Sequence, residues 1–314
     1  MNADDQFAFI EPIAIDAARF GTYTDLNEPE FGVGADPALW NAATAYASGY
    51  RATRSTTHRI YQRIIAGTTA TEPESDPVNW LDAGPTNKWA MWDQANSSQT
   101  QKEDGYSYHV FLGASDVADT LVFDNVDADV IRVTAFTDGF STVVYDKTII
   151  LKTHDVDNWY DYFFSDFVYA KTAVFSGLPP LTGMILEVTV SKTGSVAKVG
   201  TCVPGRARRI GNTHFGASVG LVDYSVKSTD SFGKTTLIER PYSKRMNIAV
   251  EIRSDAVDGV INALSPYRAK PIMYLGAGGR YASMVMLGFF RSLDVVIPGP
   301  VYSQCNLEIE GLIT

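Results

Sequence analysis

Cysteine is scarce in this chain: two residues, Cys202 and Cys305, in 314. They lie about a hundred residues apart and match no zinc or redox spacing, so each reads as a buried free thiol. Histidine is scarce too. His58, His109, His154 and His214 are scattered, with no H-x-x-x-H pair for zinc, and each reads as an ordinary strand or loop residue. No run of about 18 apolar residues exists, so no membrane-spanning helix is expected. MNADDQF has neither the basic nor the apolar region of a secretory leader, which predicts synthesis in the cytoplasm without an address. Positive charge is in deficit, 26 Lys and Arg against 36 Asp and Glu, for a net charge of −10. That balance excludes a nucleic-acid binder, which needs a basic face for phosphates, and disfavours anionic membranes.

What remains is 45% hydrophobic and 20% charged, enough to bury real cores in two or three domains. The pattern predicts a mainly β, multidomain chain: a small N-terminal aromatic module, a central antiparallel jelly-roll sandwich, and a C-terminal β-rich domain with one helix. Residues 1–34, with FAFIEPIAI and FGVGAD, read as an extended arm whose apolar side chains want a partner surface. Residues 35–105 read as an α+β module. In it Asp36-Pro37 opens a short helix that Gly49 ends, and His58–Ile64 is a half-buried strand. The polar stretch 94–105 reads as a loop or linker.

Residues 106–200 carry short strand candidates at Leu121–Phe123, Val130–Phe136, Thr142–Tyr145, Lys171–Phe175 and Met184–Ser191. Asp138-Gly139 joins two of them as a hairpin turn. In the last segment, 201–314, Thr235–Glu239 and Met246–Arg253 are expected to pair. Ser254–Leu264 forms one helix, Pro271–Leu275 and Met284–Phe290 are strands around a glycine turn, and the alternating Cys305–Glu310 is a strand tied into a sheet.

Chemistry is thin. With so many carboxylates, an acid pair for glycoside hydrolysis always seems available, so their number decides nothing. Asp155, Asp157 and Asp161 could offer calcium oxygen ligands, but the spacing is not an EF-hand and solvated loop acids are the plainer reading. Gly276-Ala277-Gly278-Gly279-Arg280 lacks the lysine-serine end of a phosphate loop. Arg206, Arg208 and Arg209 could meet a carboxylate-rich neighbour or an acidic sugar, with an exposed turn as the plainer reading. No cofactor and no metal is implied, and no catalytic residue is assigned.

Aromatics are the surplus. Three of the five tryptophans fall within DPVNWLDAGPTNKWAMWD, Asp76 to Asp93. Trp89 and Trp92, with Trp159, Tyr160 and Tyr162, are the candidate rings for stacking on sugar C–H faces; packing of small cores is the competing use.

Asn79-Trp80 followed by Gly84-Pro85-Thr86-Asn87-Lys88-Trp89-Ala90-Met91-Trp92-Asp93 resembles a motif of tailed-phage and prophage tail-tip proteins. There an N-W, a short spacer and G-P-T-N-R-W-A-M-F-D precede a central galactose-binding-like β-sandwich. Lys88 and Trp92 depart mildly from that pattern. GNTHFGASVGLVDYSVKSTDSFG (211–233) and the ending LEIEGLIT are similar to the same family, so the resemblance runs from about residue 40 to the end. Trp40, Tyr46, Gly49, Tyr61 and Trp80 are loosely similar in spacing to small chitin-binding modules.

The resemblance implies a virion structural protein of the tail tip or baseplate. It would assemble as a symmetric ring of copies, contact other tail proteins and link the tail to host-recognition parts. Trp80, Gly84, Pro85, Asn87, Trp89, Trp92 and Asp93 would then serve as a structural motif. The alternative is a carbohydrate- or receptor-binding tail protein that meets host surface glycans through aromatic loops. A polysaccharide-cleaving enzyme is the third and least supported reading.

Overall fold

The computed structural model describes residues 6–20, 23–137, 139–154, 159, 167–279 and 281–313. The fold is mainly β, and every pairing between its named strands is antiparallel. In chain order the strands are β1 (Gln6–Pro12), β2 (Arg51–Arg54), β3 (Arg59–Arg63), β4 (Trp80–Pro85), β5 (Thr100–Phe111), β6 (Thr120–Asp127), β7 (Val130–Thr137), β8 (Thr142–Ile150), β9 (Lys152–His154) and β10 (Phe167–Tyr169). They continue with β11 (Thr172–Ser176), β12 (Ile185–Thr213), β13 (Ser218–Asp223), β14 (Val226–Thr229), β15 (Thr235–Ile238), β16 (Tyr242–Arg253), β17 (Ile272–Leu275), β18 (Val285–Val296) and β19 (Tyr302–Ile313). The α-helix α1 (Val257–Leu264) follows a 3-10 turn at Ser254–Ala256, in agreement with the expected helix.

The first large unit is a β-sandwich. The Met184–Val190 alternation puts Met184, Leu186, Val188 and Val190 into its core, with Ile131, Val133 and Ala135 from β7 and Tyr106, Tyr108 and Val110 from β5. β5 and β12 stay paired while they fold from one sheet into the other, across a register shift between Ser191 and Val196. The corner needs glycine at 105. Its φ is +116°, and a Cβ there would stand 2.2 Å from the Val190 carbonyl oxygen.

The second unit is the expected C-terminal β-rich part with one helix, but its closure into a barrel was not foreseen. β12, β1, β17, β18, β19 and β16 are hydrogen-bonded neighbours in that order, and β16 returns to β12 through Asn212↔Glu251 and Thr213↔Val250. Six strands thus close on themselves as a barrel. Its interior holds Phe7 and Phe9 from β1, Met246, Ile248 and Val250 from β16, and Cys305, Leu307 and Ile309 from β19. Val260, Ala263 and Leu264 of α1 join the same cluster. The alternate residues of β1, β17 and β18 face the sandwich instead: Ala8, Ile10, Met273, Leu275, Val285 and Leu287 pack with Val122 and Val203. β1, β17 and the start of β18, residues 285–288, are buried on both faces, which is why they read as continuous apolar runs rather than alternating ones.

Several expectations are corrected. The N-terminal segment is no free arm: β1 lies between β12 and β17, with Phe7, Phe9 and Ile10 fully buried within the chain. Residues 37–48 form no helix: Trp40 N–H donates to the carbonyl of Thr53 in β2, Thr53 N–H donates to the Ala38 carbonyl, and Tyr46 bridges to Gly67. The polar stretch 94–105 is strand from Thr100 onward. Arg206, Arg208 and Arg209 lie on β12, not in a turn, and Arg208 meets Glu11 of β1 at 2.9 Å. Thr235–Ile238 pairs with Val226–Thr229 rather than with β16. Asp138, Asp155, Asp157, Asp161 and Arg280 lie outside the described residues. β12 also runs through position 200, where a domain limit was expected, and serves the sandwich and the barrel alike.

The two thiols sample the two units separately. Burial pushes Cys202, in the sandwich core, up to about 12 and Cys305, in the barrel, up to about 11. Neither is a thiolate at pH 8, so native protein should resist alkylation at both. In rising urea, peptide mapping should show the two sites becoming reactive together, because one strand holds both units. Labelling of one well before the other would mean that the units open independently.

Candidate functional site

The tryptophan-rich stretch spans two cores. β4 carries Trp80 into the small N-terminal sheet, β2-β3-β4, where it is 2% exposed against Tyr46, Tyr61 and Ala52. Tyr46 meets it edge-on at 5.2 Å, and the buried Arg63 guanidinium lies 5.1 Å over its ring. Such a contact offsets part of the cost of burying Arg63, whose Nε and Nη1 have no hydrogen-bond partner. Trp40, half-buried, packs on the same cluster beneath Arg54. The aromatic spacing of this module is therefore that of a small internal core.

Gly84, at φ +117°, lets the chain leave β4; its N–H donates to Asp82 Oδ1, and Pro85 pairs with Arg59. Thr86 then opens a 3-10 helix, Asn87–Trp92. Asn87 is 7% exposed and acts as a backbone mimic for β5. Its Nδ2 donates to the Gln101 carbonyl at 3.0 Å, and its Oδ1 accepts from the Gln101 N–H at 2.9 Å. Its own N–H donates to Asp36. Asp93 closes the segment by accepting from Ala95 N–H and Ser98 Oγ. Burial raises the Asp36 and Asp93 carboxyls above their ordinary value, so their ionisation works against folding, and the hydrogen bonds they accept offset it.

Glu28 is the centre of the joint. Its carboxylate accepts from Thr86 Oγ1 at 2.9 Å and Trp89 Nε1 at 3.2 Å, and it stands 2.8 Å from His58 Nδ1. The His58 ring stacks on Trp89 at 4.1 Å. Trp89 then meets Phe20 edge-on at 5.3 Å, and Phe20 meets Trp92 and Tyr108 of the sandwich core. One carboxylate thus ties residues 20–36, the N-terminal module and the sandwich together. Glu28 and Phe20 carry no local signal of this role, because every partner lies tens of residues away.

Of the five candidate stacking rings, Trp89 and Trp92 are turned inward, and Trp159 is 81% exposed. Tyr160 and Tyr162 lie outside the described residues. No cluster of His, Cys, Asp or Glu suited to a metal occurs among the described residues. His109 and His214 each pair with a carboxylate, Glu187 and Glu251, at strand surfaces. Neither a protein-family model nor a curated protein sequence matches the chain.

A different surface has the character of a binding site. From Thr213 the chain leaves the barrel as β13, which pairs with the start of β16, and continues as the separate β14–β15 hairpin. Both strands of that hairpin are exposed along their whole length. At the base of this extension lies a cleft of about 430 Å³ lined by His214, Phe215, Val219, Ala277, Tyr281 and Met284.

Truncating Trp89 should cost stability, not ligand affinity. Trp89→Ala is expected to lower the unfolding free energy by about 3–5 kcal/mol, read from urea denaturation. A variant of unchanged stability would show that the ring is not the joint described.

Proposed function

We propose that this chain is a structural component of a phage tail tip or baseplate that assembles as a ring of copies and connects the tail to host-recognition parts. The observation that carries this reading is the exposed apolar extension, 214–242. Phe215 is fully exposed, Phe232 is 94% exposed and Leu237 75%. A two-stranded ribbon with no core of its own is marginal in water, and large apolar side chains at its tip call for a covering surface. The inward-facing motif supports the same reading, since it makes the module and the sandwich one stiff support. The similarity of three separated sequence stretches to tail-tip proteins gives the assembly its proposed place in the virion. Light scattering of the purified chain at tens of micromolar should report a multimer, and negative-stain images should show closed rings. A monomer under those conditions would overturn the proposal.

Trp159 favours a second reading. A tryptophan exposed at 81% offers a stacking face for a host surface glycan. If that is its use, Trp159→Ala should abolish glycan-array binding with ring assembly intact. Unchanged binding, or none in the parent protein, would remove the carbohydrate reading.

A further inference from the structure

Building on the ring reading, we propose that the contact between copies is an exchanged arm: the tip of the β14–β15 hairpin of one molecule, with Phe232 at its end, seats in the cleft between β13 and the Ala277–Met284 turn of the next.

Area is the first argument. Leu221, Tyr224, Val226, Phe232, Leu237 and Ile238 are between 37% and 94% exposed. Taken at ~200 Å² per large side chain, they present roughly 700 Å² of apolar surface. Summed over both faces of the ribbon and β13, that approaches the ~800 Å² that one partner buries in a stable complex.

The distribution of that surface is the second argument. Val226 and Ile238 are register partners, and so are Lys227 and Leu237, so apolar side chains project from both faces of the ribbon. A ribbon apolar on both faces is covered by insertion rather than by lying on a flat surface. Its outer edges, and that of β13, are unpaired among the described strands, which leaves backbone groups for a receiving chain.

The choice of a second copy rests on charge and reach. Residues 224–240 carry Lys227, Lys234 and Arg240 against Asp230 and Glu239, a net positive arm on a chain of net charge −10. Copies of so acidic a body repel one another, and a positive arm is the segment that can approach a neighbour at least cost. The cleft is apolar where a phenylalanine would enter, with Val219, Ala277 and Met284 in its wall, and its volume of about 430 Å³ admits such a ring. Phe232 is not in the cleft of its own molecule, as its exposure shows. Arm and cleft are different surfaces of the same chain, so each copy gives one arm and receives one. That is a heterologous contact, the kind that closes into a ring when the rotation permits.

The test uses full-length protein with Phe232→Cys and Ser283→Cys together; Ser283 is an exposed residue of the cleft, and both native thiols are buried. Mild oxidation should convert most of the chain into covalent multimers that reductant reverses, and mixing the two single variants should give a covalent dimer. Phe232→Asp, which touches no core and should leave circular dichroism unchanged, is expected to weaken self-association at least tenfold. Multimers that form but neither cross-link nor respond to Phe232→Asp would overturn the arm exchange and leave the ring reading in place. A parent protein that stays monomeric would overturn both.

Discussion

The architecture depends on how one strand satisfies its backbone. β12 runs for 29 residues, a contour of ~95 Å at strand rise and far longer than any single domain here needs. Each of its N–H and C=O groups must find a partner wherever it is buried. It does so by pairing in turn with β5 and β7, then β5 and β6, then β1, and last with β16. Sandwich and barrel are consequently two parts of one hydrogen-bonded ladder. They cannot rotate against each other without breaking main-chain bonds, and a second seam of apolar side chains, from Ile10 to Leu287, holds the two faces together.

The small N-terminal module has no such shared ladder and is secured by side chains instead. Glu28 is the counterpart of β12 at that junction, because it gathers Thr86, Trp89 and His58 from two elements around one carboxylate. Beside it lie two more acids, Glu30, which is buried, and Asp36, which is half-buried, and Lys102 reaches towards Glu30 at 3.9 Å. Concentrating acid in a seam is costly unless each oxygen is hydrogen-bonded. Here the donors include the backbone N–H groups of Asn27 and Glu30 within the segment 24–36 and of Asn87 across the joint.

Periodicity revealed the elements whose burial is one-sided. The Met184–Val190 strand, the closing strand of Cys305 to Glu310 and the helix from Val257 are legible because solvent and core alternate along them. FAFI was legible as apolar but not as placed: a strand buried on both faces has no period, and its partners lie about two hundred residues away in β12. The stretch 37–48 has a helical spacing of apolar residues, yet Leu39, Ala43 and Ala47 end up exposed, since pairing with Thr53 and Gly67 satisfies the backbone better than a short helix would. The barrel was invisible because closure is made by two residue pairs, and no local pattern encodes that. The tryptophan motif was legible as a unit and its turn as a turn; which way Trp89 faces depended on Glu28 and Phe20.

The distribution of stiffness gives the assembly reading its physical sense. Among the described residues, the sandwich, the barrel and the N-terminal module are tied down by ladders, cores or the acid–aromatic joint, whereas both strands of the β14–β15 hairpin are exposed throughout. Cores do not tolerate deformation, so a body built this way transmits force and position rather than absorbing them. The extension, by contrast, is a hairpin whose side chains contribute almost nothing to the stability of its own molecule. A segment that keeps Phe232 and Leu237 in water pays a free-energy cost in the isolated chain that folding alone does not recover. Such a cost is recovered when a partner covers those side chains, and in the proposed ring the body would set the spacing and the limb would make the joint.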